Sequence, residues 1–189
     1  PRDWSSDVCS SDLVHGRRAL RVVPAVRCSG PLPALESLLA AGGPATTGIL
    51  CVGRDGRRPG GTDAVGRPYN ILDPAVQAAL ADLVADLAAR GSRHDAVDGV
   101  ALLVPHDGWF HLPGVAWGLD DATFARFLAD VPEAAAVVAA AGPDAFRADA
   151  TRFALRAALV EGPLRSSWIG WRCDVVAAFV DRKSTRLNS

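Results

Sequence analysis

The run from Tyr69 to Val104 holds one helix and one strand in full, and it limits the architectures open to this chain more than any other stretch. Asp73 stands at the N-cap position and Pro74 at the first helical one. Val76, Leu80, Leu83, Val84 and Leu87 then recur at three and four residues as far as Gly91, the spacing of a helix with one buried face. After the polar connector Ser92 to Asp98, the run Gly99 to Val104 (GVALLV) is apolar on both faces, as a parallel strand covered by helices should be. A helix that leads into such a strand points to an α/β arrangement.

The flanking segments are read the same way. Ala19 to Arg27 is a β-branched run, and Leu32, Leu35, Leu38 and Leu39 follow at helical spacing before the stop at Gly42 and Gly43. Thr47 to Val52 (TGILCV) predicts another strand, followed by a turn-rich loop from Arg54 to Pro68. Asp120 or Asp121 caps a helix with Phe124, Phe127 and Leu128 inward. Pro143 to Val180 reads as helical, broken at Gly162 and Pro163, with a last helix bearing Trp168, Trp171, Val175, Val176 and Phe179. The rhythm predicts alternating parallel strands and helices.

Composition bears first on where that fold starts and stops. Residues 1–13 and 181–189 look like sequencing-adapter DNA read as codons: a coding string for Asp181 to Ser184, reverse-complemented and shifted one frame, reads Ser10 to Leu13. Lys183, the single lysine, lies in the second tail, and the chain has no Met. The expectation is therefore a piece, residues 14–180, of a longer high-GC bacterial coding sequence, set between two artefactual tails. The formal net charge is −1 and the two tails carry equal numbers of cations and anions, so no case for nucleic acid or an anionic membrane follows. Apolar runs such as Ala134 to Ala141 fall far short of the roughly 20 residues that span a bilayer. Without Cys9 the cysteines are Cys28, Cys51 and Cys173, widely spaced and lacking metal-ligand spacing, which predicts buried structural thiols. No metal site and no cofactor is expected.

Most of the reactive side chains gather just beyond GVALLV: His106, Asp107, Trp109, Phe110, His111 and then Trp117, among glycines and prolines. A loop leaving the carboxyl end of a strand is where open α/β sheets and (β/α) barrels carry their active sites.

The pattern NILDP, the helix after it, and the Asp98-Gly99 start of the next strand resemble the glycosyl-hydrolase-like (β/α) barrel proteins of bacteria. The motif residues are Asn70, Pro74, Asp98 and Gly99, and the DGW, LPG and WGLDDATFARF stretches are similar to the loop and helix that follow in one large branch of them. The resemblance covers roughly residues 21–179. It implies a partial (β/α)8 TIM-barrel-like fragment of three or four strands, a carbohydrate substrate and hydrolysis of a glycosidic bond. Better known members end the corresponding strand on an acidic residue, whereas here Val104-Pro105-His106-Asp107 sets the carboxylate three positions further on.

Glycoside hydrolysis ordinarily uses two carboxyl groups flanking the scissile bond. The glutamates Glu36, Glu133 and Glu161 read as helix or turn residues, which leaves Asp107 first and Asp55 second as catalytic candidates, with His106 as a polar neighbour. Each aspartate also has a structural reading, since Asp107-Gly108 and Asp55-Gly56 are favoured turn pairs. Trp109, Phe110, Trp117 and Tyr69, with His111, are the candidate substrate platform, and rim packing is the competing account of the aromatics. Trp168 and Trp171 are assigned to the core, and Asp73, Asp120 and Asp121 to helix caps. A barrel that binds carbohydrate without cleaving it, a scaffold module, or a piece with no function of its own are the alternatives.

Overall fold

The structure is a computed structural model that describes residues 21–43, 46–58, 69–104, 108–110, 114–148 and 151–187, the side chains of residues 143 and 182–187 excepted. Strand β1 (Ala25–Arg27) pairs in parallel with β2 (Ala101–Leu103), Val26 opposite Leu102. A bridge between Val22 and Val97 and an ion pair between Arg21 and Asp98 extend the pairing towards the start of both strands. The helices are α1 (Pro33–Ala41), α2 (Pro74–Gly91), α3 (Asp121–Asp130), α4 (Pro132–Ala141), α5 (Arg152–Glu161) and α6 (Arg165–Leu187), with a 3-10 turn at Pro143–Phe146.

Local signals that rest on single-residue chemistry hold. Asp73 accepts from the amides of Ala75 and Val76, satisfying two of the donors that a helix start leaves open, and Pro74 begins α2. Asp120 caps α3 by accepting from Thr123 N at 2.8 Å. α1 stops at Gly42, whose φ of 69° suits a residue without Cβ, and the Gly162-Pro163 break separates α5 from α6.

The partial barrel does not hold. The described residues form six helices and a two-stranded parallel sheet, a mostly helical arrangement in which strand and helix do not alternate. Thr47 to Val52 is where the expectation fails first. Its beginning is a turn, with Ile49 N donating to Thr46 O. Its remainder makes only isolated antiparallel bridges, Leu50 to Tyr69 and, just beyond it, Gly53 to Trp117. The run is apolar because Ile49 to Val52 are buried, and a short buried run carries no period that separates a strand from other core segments. Beyond β2 the described chain is helix packed on helix. β2 itself is not covered on both faces, since Leu103 is 51% and Val104 47% exposed.

Two apolar clusters make the core. One joins α3, α4, α5 and α6, where Phe127 meets Trp168 edge-on at 5.0 Å and Trp168 stacks on Trp171 at 5.4 Å. The other gathers Leu35, Ile49, Leu50, Tyr69, Val76, Leu80 and Phe110 with Phe179. α6 carries residues of both, and Val176 packs against each. Cys28 and Cys51 are buried as expected, whereas Cys173 is exposed, because it lines an open apolar pocket with Ile71, Leu80 and Leu102.

Candidate functional site

Backbone hydrogen bonds lead from the carboxyl end of β1 across four short segments. Trp109 N donates to Cys28 O at 3.3 Å, Tyr69 N to Trp109 O at 2.6 Å, and Asn70 N to Ile49 O at 2.8 Å. Gly118 N and Leu119 N then both donate to Val52 O. The aromatic residues scattered along the sequence thus enter one strip. Gly53 is glycine for a steric reason: a Cβ there would stand 3.1 Å from the Trp117 ring.

Tyr69 is the centre of this strip. Its ring lies 5.1 Å from that of Trp109 and 5.3 Å from that of Phe110. Its hydroxyl donates to Glu36 Oε1 at 2.5 Å and accepts from Leu32 N at 3.1 Å. Burial of the phenol, reinforced by the bond to Glu36, raises the Tyr69 pKa and keeps it protonated. Glu36 sits in the first turn of α1, the helix that follows β1, and is exposed. A solvent-facing carboxylate and a half-buried indole are therefore each held against one phenol near the carboxyl end of the parallel pair.

The sequence candidates divide accordingly. Tyr69 and Phe110 are buried and form the wall of the cluster, while Trp109 and Trp117 are half-buried and can offer a ring edge or face to solvent. Asp55 is exposed and occupies the turn that the Asp-Gly pair suggests: its Oδ1 accepts from Arg57 N at 3.0 Å and its Oδ2 lies 3.7 Å from Arg57 Nε. His106, Asp107 and His111 lie outside the described residues. Glu36 was legible only as a helix residue; the available signal was its place in a first helical turn directly after a strand.

A second polar group is buried between the starts of α2 and α3. Asn70 Nδ2 donates to Asp120 Oδ2 at 3.1 Å and to Thr123 Oγ1 at 2.7 Å, and its own oxygen accepts from Leu72 N. Gly48 admits both caps, since a Cβ there would collide with Asp73 Oδ2 and come within 3.4 Å of Asp120 Oδ1. Burial pushes the Asp120 carboxyl up to about 6 against the pull of its Thr123 bonds, and the Asp73 charge adds to the rise. Nearby, burial pushes the Cys51 thiol up to about 12, again with Asp120 contributing, so Cys51 is not a nucleophile at neutral pH. With Asp120 3% and Asp73 8% exposed, this group ties two helix starts together and does not face a substrate.

Among the described residues no three His, Cys, Asp or Glu side chains converge as a metal site, and no helix is long and apolar enough to cross a membrane. No protein-family model, curated protein or solved structure matches the chain.

Proposed function

We propose that the carboxyl end of the parallel pair binds carbohydrate, and that the protein is glycoside hydrolase-like, cleaving a glycosidic bond by acid/base chemistry with Asp107 as one carboxyl contributor. The observation that carries the binding half is the Glu36, Tyr69 and Trp109 constellation. A half-buried indole suits the C–H face of a sugar ring, and an exposed carboxylate held by the same tyrosine accepts from ring hydroxyls. Glu36 is the second carboxyl group of this reading, and His106 and His111 are polar neighbours of Asp107 in the chain. Acid/base cleavage needs two such groups with distinct protonation roles.

One observation favours binding without cleavage. Glu36 Oε1 is already engaged by the Tyr69 hydroxyl, which suits a fixed hydrogen-bond acceptor more than a group that must exchange protons. The two readings separate in one experiment. The wild type, Asp107→Asn, Glu36→Gln and Trp109→Ala are assayed for hydrolysis of nitrophenyl glycosides and for retention by immobilised polysaccharides. The hydrolase reading expects Asp107→Asn to lose about 10²-fold or more in rate with retention kept. Retention without sugar release by the wild type leaves the binding module; retention unchanged in Trp109→Ala removes the proposed site.

A further inference from the structure

We draw no further inference here: the strongest candidate, the open apolar pocket between β2 and α6 lined by Leu80, Leu102, Val104, Phe110, Cys173 and Val176, carries none because nothing in the structure shows what covers it.

Discussion

Asp120 is a cap that works against its own charge. It satisfies the start of α3, but it does so 3% exposed, with Asp73 close by, and its carboxyl rises from 3.8 to about 6. A carboxyl whose pKa is higher in the folded state takes up a proton more readily there than in the unfolded chain. Its contribution to stability is therefore full below pH 4 and is lost as pH rises through about 6. The shift corresponds to about 3 kcal/mol. Urea denaturation at pH 4, 5 and 7 should show wild-type stability falling relative to Asp120→Asn across this window; parallel curves would refute the assignment. That Asp73 and Asp120 are caps was legible in the sequence, because each precedes an apolar-periodic run. That they meet across Gly48 was not, since no local pattern records the approach of residues so far apart in the chain. Glu36 escaped for the same reason: its partner Tyr69 lies far along the chain.

At the scale of elements, most of the helices were readable, α4 being the one not expected, and of the three strands expected two formed, paired in parallel. Caps, prolines and three-to-four spacing belong to the helix itself, so α2, α3 and the α5–α6 break could be placed without knowledge of their neighbours. A strand is defined by its partner. GVALLV found one in β1, whereas Thr47 to Val52, equally apolar, is a turn followed by isolated bridges. The joint between α3 and α6 was foreseen only in part, as the core placement of Trp168 and Trp171. Trp168 is fully buried, lies edge-on to Phe127, stacks on Trp171 and donates from Nε1 to Val115 O at 2.9 Å. Trp168→Ala should accordingly cost about 3–5 kcal/mol in urea denaturation. Trp168→Phe should recover part of that loss by keeping the ring contact while losing the indole bond. A loss under about 1 kcal/mol for the alanine variant would mean that α6 does not anchor this cluster.

At the scale of the whole molecule, apolar side chains stay exposed around the two strands. Val22 (37% exposed), Val23 (54%), Leu103 and Val104 are exposed apolar side chains in or next to the two described strands. A net charge of −1 supplies little repulsion between copies. Exposed apolar strand of this kind is a template for association. Sedimentation velocity over a wide concentration range should therefore show the mean mass rising with concentration. The double substitution Leu103→Lys and Val104→Lys should return it towards the monomer with an unchanged far-ultraviolet spectrum, because both positions are half-exposed and neither side chain is part of the buried core. The same charges placed on α2, at the exposed Ala85 and Ala89, should leave the association as it was. That contrast separates an effect of the sheet from a general effect of charge. A wild type that stays monomeric throughout would show that these side chains are too few to drive association.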